Sequence, residues 1–267
     1  MMDLLLENQN IIRVSIFITV LFVMALWEIK LPRKSLTQPK WYRWLNNMSL
    51  VVVNGLLLPI ALPFLAVSTA IVAQEKHIGL FNLINMNAVL TGVISLILLD
   101  VIIYWQHRVF HKVPLLWRLH RVHHTDQDID VTTGSRFHFI EIWLSMLVKM
   151  IMILTFGISP IAVLLFEILL NASAMFNHSN IQISSNIDNK LRKIIVTPDM
   201  HRVHHSIYRN ETDSNYGFCL SVWDRWFNSY ISQPKDGHQS MKIGIDLFRH
   251  LKEQSLIKML TQPFRKQ

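Results

Sequence analysis

"AVLTGVISLILLDVIIYWQHRVFH", residues 88 to 111, begins as an apolar run and ends in two histidines. Residues 88 to 105 carry one formal charge, Asp100, and come close to the length of about 20 residues that a helix needs to cross a hydrocarbon core. Residues 11 to 29 and 48 to 73 are two further runs of this kind. Together they predict an all-α, integral membrane protein with about three transmembrane helices, rather than soluble domains with buried helices. A further apolar pair, 139 to 156 and 158 to 177, is joined at Gly157 and broken by Pro160, which reads as a helical hairpin. Glu141, Lys149 and Glu167 interrupt it, and charges in lipid are costly, so the hairpin either spans or only dips in. The first run is too long for a signal-peptide core and has no small-residue cleavage site, so it reads as an uncleaved anchor.

Loop charges set the orientation. Lys30, Arg33, Lys34, Lys40 and Arg43 follow the first run, whereas the 74 to 87 connection holds only Glu75 and Lys76, so the former segment is expected in the cytoplasm. Residues 107 to 138 and 178 to 267 then form a cytoplasmic helical cap carrying every histidine cluster. The chain's 26 Lys and Arg against 18 Asp and Glu, net +8, fit positive-inside loops and anionic headgroups. No nucleic-acid module accompanies them, and no nucleic-acid partner is expected. The single Cys219 permits no internal disulfide. With eight glycines and neither GxGxxG nor a Walker motif, any nucleotide cofactor belongs to a partner.

Three histidine clusters remain. His107 and His111 stand at i and i+4, so a continuing helix places both imidazoles on one face. His120, His123 and His124 stand at i, i+3 and i+4, and His201, His204 and His205 repeat that spacing inside a second copy of the pentapeptide HRVHH. Imidazole suits Zn, Cu, Fe or Ni, and eight imidazoles exceed one tetrahedral centre, so two metals are implied. No HExxH motif is present, which argues against a metalloprotease.

The set "YWQHRVFH", "LHRVHH", "TTGSRFHFIE", "FNHSNI", "VTPDMHRVHHS" and "NYGFCLSVWDRWFNSY" resembles the sterol desaturase/fatty acid hydroxylase superfamily of membrane di-iron oxygenases, from about residue 95 to 235. The resemblance implies a single membrane-embedded domain over 1–267: N-terminal transmembrane helices in 1–94, a catalytic region in 95–235 and a C-terminal tail in 236–267. It also implies an enzyme that uses O2 and two electrons to hydroxylate or desaturate a lipid, with two iron ions as cofactor. Residue by residue, His107 and His111 match the first histidine box, His120, His123 and His124 the second, and His201, His204 and His205 the third. His178 matches a further family histidine. Some hydroxylases place another histidine four residues later, where this chain has Gln182, so His138 is a candidate to complete the set as ligand or supporting residue. The eight residues between His111 and His120 favour the hydroxylase/sterol branch over acyl-CoA desaturases. The stretch around His201 and Trp223 is also similar to alkylglycerol monooxygenases, which keeps ether-lipid cleavage open.

Carboxylates that accept an imidazole N–H orient metal-bound histidines. Asp100, seven residues before His107, is a candidate for this, with Asp126 and Asp199; Asp199 is alternatively the cap of the third-box helix, and Asp224 reads as a turn or ion-pair residue. Arg121 and Arg202 read as headgroup or carboxylate anchors, or as basic residues at the membrane face. His77, His238 and His250 lie outside the clusters and are expected at the surface. With no haem, iron–sulfur or flavin signature in the chain, a separate electron carrier is implied, of cytochrome b5 or ferredoxin/reductase type. A non-enzymatic zinc scaffold or metal transporter is the competing class, although a transporter places its ligands near the middle of its spans. Without an ER-retention tetrapeptide, a bacterial inner membrane is the expected location.

Overall fold

The computed structural model describes residues 2–62, 65–84 and 86–266. Among them there is no β-strand, only three isolated bridges, and the element order is helical throughout. Eight helices matter for function: α1 (Gln9–Lys30), α2 (Lys40–Ala61), α3 (Ala66–Glu75), α4 (Ala88–Lys112), α5 (Pro114–His124), α6 (Phe139–Phe156), α7 (Pro160–His178) and α8 (Pro198–His204).

Five stretches are long and apolar enough to cross a membrane: α1, the 40–83 region containing α2 and α3, α4, α6 and α7. The expected three spans plus hairpin therefore correspond to five qualifying stretches. The run at 48–73 is not one helix. Pro59 lies inside α2, the helix ends at Ala61, and α3 begins at Ala66, while residues 63 and 64 lie outside the described residues. The hairpin forms as its sequence predicts: Gly157 closes α6 in the left-handed conformation at φ +68°, and the Ser159 hydroxyl accepts from the Ala162 N–H at the start of α7, with Pro160 in the first turn. Gly79, also at positive φ, packs directly on this turn, where a Cβ would lie 2.1 Å from the Gly157 nitrogen.

Helix α7 is the hub. It packs against α1, α3, α4, α8 and the 3-10 turn Val131–Ser135. Its Ala162, Val163, Leu164 and Phe166 share one buried apolar cluster with Leu99 and Ile103 of α4 and Met146 and Ile153 of α6. Charges inside the apolar helices are removed from lipid by pairing. Glu141 faces His120 at 2.6 Å, and Glu167 takes Lys149 at 2.7 Å and Arg13 on its other oxygen.

Below the hub lies a buried ionic knot. Arg43 is fully buried and donates to Asp126 through Nε (2.7 Å) and Nη2 (2.8 Å), to Asp130 and to the Thr133 hydroxyl. Burial alone would raise the Asp126 pKa, but the guanidinium groups of Arg43 and Arg136 hold the carboxyl well below its usual range. The C-terminal segment, expected as a tail, folds back here. Met259 joins Leu50 and Val122, Gln262 accepts from the Thr125 hydroxyl, and Gln254 accepts from Arg136. Removing one partner of a buried charge pair costs about 3–5 kcal/mol because the other charge stays buried. Arg43→Ala is therefore expected to lower the thermal unfolding midpoint of detergent-solubilised protein sharply. An unchanged midpoint would show that the knot does not hold α2 to the 126–133 loop.

Candidate metal centre

Each histidine box is placed by a helix with its own start signal. Asn87 caps α4 by accepting from the Val89 and Leu90 N–H groups, and that helix carries His107 and His111 on one face near its C-terminal end. Pro114 opens α5, which carries His120, His123 and His124. Thr197 caps α8, accepting from the Met200 N–H at 3.4 Å, and Pro198 occupies the first turn. The cap is thus Thr197 and not Asp199. His178 ends α7.

These elements bring nine imidazoles into two adjoining groups, His107, His111, His120, His124 and His204 in one and His123, His178, His201 and His205 in the other, each with its ligand nitrogens within 4.8 Å of one another. Contact between the groups is direct: the His124 and His205 rings stack with centroids 4.6 Å apart. None of the nine exposes more than 4% of its surface. Burial, reinforced by neighbouring imidazoles, pushes His123, His124, His201, His204 and His205 well below the usual histidine range, and burial takes His120 to about 3. These rings are therefore neutral at pH 7 and keep a lone pair, the form that binds metal.

Hydrogen bonds fix which nitrogen keeps it. The Nδ1–H groups of His107, His204 and His178 donate to the carbonyls of Tyr216 (2.8 Å), Ser214 (2.6 Å) and Ala174 (2.6 Å), and that of His120 donates to Glu141 (2.6 Å). A carbonyl can only accept, so Nε2 of the first three rings is the lone-pair nitrogen. Those Nε2 atoms converge: His107 on His120 at 3.1 Å, and His178 on His123 and His201 at 3.0 Å each. Among the described residues, both ring nitrogens of His111, His124 and His205 and Nε2 of His204 have no hydrogen-bond partner. Buried lone pairs facing one another are unfavourable unless a cation lies between them, so the donor set fits two transition-metal ions.

Other expectations fall differently. His138 caps α6, accepting from the Ile140 N–H and donating to the Leu260 carbonyl, and lies in neither group. Gln182 is exposed and cannot extend the set. None of the three expected carboxylates meets one of the nine imidazoles: Asp100 accepts from the Trp223 indole and from the Cys219 and Leu220 N–H groups, Asp126 belongs to the Arg43 knot, and Asp199 pairs with Arg33 and Arg202. One carboxylate does support a ring, Glu141 on His120, while Asp213 lies 3.4 Å from His111 Nδ1 without a hydrogen bond to it. Glu141 had a signal in the sequence, an acid inside an apolar run, which marks a functional position more often than an accident; Asp213 had none. Asp224 is a turn partner, accepting from the Tyr216 and Gly217 N–H groups and the Ser229 hydroxyl, with burial pushing its carboxyl up to about 6. Arg121 and Arg202 are fully buried rather than at a membrane face; Arg121 donates to the carbonyls of Gln262 and Arg265. His77 and His250 are exposed, whereas His238 is buried, 3.7 Å from Asp199.

A cavity of about 300 Å³ reaches the first group, lined at that end by His107, His120 and Phe218 and continuing between α1, α2, α6 and α7. Its walls are mostly apolar, as ligand cavities are.

Residues 92–229 match the fatty acid hydroxylase family. Among curated proteins, the chain is 34% identical to alkylglycerol monooxygenase of Xenopus tropicalis over 130 residues, which is 49% of this chain and 28% of that protein. It is 30% identical to the ornithine lipid hydroxylase OlsE of Rhizobium tropici over 154 residues, 57% and 45% of the two chains, and 29% identical to human lathosterol oxidase over 157 residues, 58% and 48%. The matches thus span less than half the length of these relatives. No solved structure matches the chain. Just over half of the 267 residues lie within the family match, and the chain therefore belongs to the fatty acid hydroxylase family, within the sterol desaturase/fatty acid hydroxylase superfamily.

Proposed function

We propose that the protein is an O2-dependent lipid oxidoreductase that hydroxylates or desaturates an unactivated C–H of a lipid at a di-iron site held by the nine histidines. The observation that carries this reading is a pair of adjoining buried imidazole groups, the first of which meets the inner end of an apolar cavity between spanning helices. The names of the relatives, a monooxygenase, a lipid hydroxylase and a sterol oxidase, agree with it. His107, His111, His120, His124 and His204 would hold one iron, and His123, His178, His201 and His205 the other. The iron pair supplies the reduction of O2 by two electrons and the oxidising power that an unactivated C–H requires.

The chain's own residues do the rest. The carbonyls of Ala174, Ser214 and Tyr216 hold the Nδ1 protons of His178, His204 and His107, and Glu141 holds that of His120, so each ring presents Nε2 inward. Phe137 stacks on His123 at 4.6 Å and Phe218 lies 5.1 Å from His107, which keeps water from the cavity end. On the outer side, Asp213 lies beside His111 and pairs with the exposed Lys112 and Arg209. A separate electron carrier, of cytochrome b5 or ferredoxin type, docks on this basic face, which the positive-inside pattern assigns to the cytoplasm. The catalytic region is 95–235, preceded by the membrane helices of 1–94. A bacterial inner membrane is the proposed location.

The identity with alkylglycerol monooxygenase favours one variant, attack on a C–H beside an ether oxygen, whose hydroxylated product falls apart into aldehyde and alcohol. A zinc scaffold fits less well, because a structural zinc site is closed by four ligands, whereas here one group holds five imidazoles and opens on a cavity.

Metal analysis and Mössbauer spectroscopy of protein from cells grown on isotopically enriched iron should find two irons per chain in a coupled pair. A single zinc would return the protein to the scaffold class. His120→Ala, His123→Ala and His204→Ala should each abolish lipid oxidation while the protein still inserts in the membrane. Full activity in all three would remove the metal-centre assignment. Glu141→Gln should lower iron affinity or turnover about 10–100-fold, the range for losing a carboxylate behind a ligand histidine. Asp100→Asn, which touches no imidazole and reaches the centre only through the 214–224 backbone, should cost less activity than Glu141→Gln.

A further inference from the structure

The far end of the cavity is charged. Arg13 of α1, Lys149 of α6 and Glu167 of α7 all line it, inside helices that otherwise meet lipid or core. Glu167 is nearly fully buried, and its two oxygens are divided, one taking Lys149 at 2.7 Å and the other Arg13. Two cations against one anion leave a net charge of +1. An ammonium carries three donors and a guanidinium five, yet among the described residues neither cation makes a second hydrogen bond. A salt bridge that only tied α1 to the hairpin would need one cation, and uncompensated charge among apolar helices is costly. The surplus charge and donors face the cavity.

The spacing is informative. Lys149 follows Glu141 by eight residues on the same helix, a rise of about 12 Å at 1.5 Å per residue. Glu141 holds His120, so the charged cluster lies about that far from the imidazoles along α6. Ile103, Phe218, Ile142 and Met146 line the interval. Gly55 and Asn171 line the cavity and are exposed, and no atom lies within 4 Å of where a Cβ on Gly55 would stand, so the cavity opens there between α2 and α7.

We infer that Arg13, Lys149 and Glu167 form an anchor for the acidic end of an amphiphile, a carboxylate or phosphate on an apolar chain, and so set which carbon reaches the histidines. The inference rests on the reading of the cavity as the substrate site. Glu167 holds the two cations apart and oriented, and the acidic group completes their donor shells. The oxidised carbon is then remote from the charged end rather than adjacent to it.

The test is a native mass spectrometry titration of the full chain in neutral detergent with dodecanoate, dodecyl phosphate and dodecanol, with iron measured on the same samples. The two acids are expected to bind about tenfold more tightly than the alcohol, and the tighter acid names the headgroup. Lys149→Gln brings the cluster to zero net charge and should erase that preference. Glu167→Gln brings it to +2 and should tighten the acids, with dodecanol unchanged in both. Arg13→Gln, at a partly exposed position, should behave as Lys149→Gln and serves if the latter does not fold. Equal affinity for acids and alcohol overturns the anchor. So does weakening of the acids by all three variants, which is the behaviour of a merely structural ion pair. Acid preference with opposite shifts in protein that holds no iron would keep the anchor and remove the oxidation reading. Two irons without acid preference would do the reverse.

Discussion

Nine imidazole rings are withdrawn from water in this protein, and a buried polar atom without a partner costs free energy on the scale of a lost hydrogen bond or more. The fold is arranged around that constraint. Each ring has two nitrogens, and for four of them one is satisfied by a fixed oxygen. Those oxygens come from segments that must themselves be held. The 214–224 loop, which supplies the carbonyls for His107 and His204, is pinned by Asp224 through the Tyr216 and Gly217 N–H groups and by Asp100 through Cys219, Leu220 and Trp223. Asp100 thus acts on the centre through the backbone, one step further away than its helical spacing from His107 suggests.

The second box depends on the same logic from another direction. Arg136 donates to the Val122 carbonyl and the Thr125 hydroxyl at the C-terminal end of α5, where a cation also meets the negative end of the helix dipole. Arg136 is itself held by Asn47 and Gln254, and the Arg43 knot fixes the adjoining 126–133 loop. Four arginines, Arg43 in α2 and Arg121, Arg136 and Arg202 in the histidine-bearing cap, are fully buried in regions that read as basic and surface-exposed when only charge is counted. Their role is to neutralise carboxylates and to satisfy carbonyls beside the histidine helices, so the positive balance is only in part a membrane-facing one.

This explains what the sequence made legible. Periodicity and spacing carry local information, so the apolar runs, the hairpin at Gly157 and the three one-sided histidine boxes could all be read along the chain. His178 entered through family resemblance, and α7 does bring it beside His123 and His201. Partnerships across long separations could not be read. Glu141 with His120, Asp213 with His111, Arg43 with Asp126 and the C-terminal segment over α5 are tertiary facts with no local period. Asp100, Asp126 and Asp199 were plausible by proximity in sequence, but each is consumed by a nearer donor: an indole, an arginine knot and the Arg33–Arg202 pair. Proximity along a helix places a carboxylate on a face; it does not decide which donor reaches it first.

The charges that interrupt the hairpin follow from the same reasoning about cost. Lys149, Glu167 and Arg13 lie where a hydrocarbon environment would favour Leu or Phe, and a chain with no use for them loses nothing by replacing them. A balanced pair would at least neutralise itself. An odd cation adds a desolvation penalty that no second acid offsets, unlike the Arg43 knot, where acids outnumber the base and a second arginine restores the balance. The two buried clusters therefore differ in kind. The knot is closed on itself, shut off from the cavity, and ties two segments together. The Arg13–Glu167–Lys149 cluster faces the cavity and leaves donors open at the end opposite the imidazoles. A cavity with neutral imidazole nitrogens at one end and surplus positive charge at the other is polarised along its length, and that polarity orients an amphiphile with its acidic end away from the histidines.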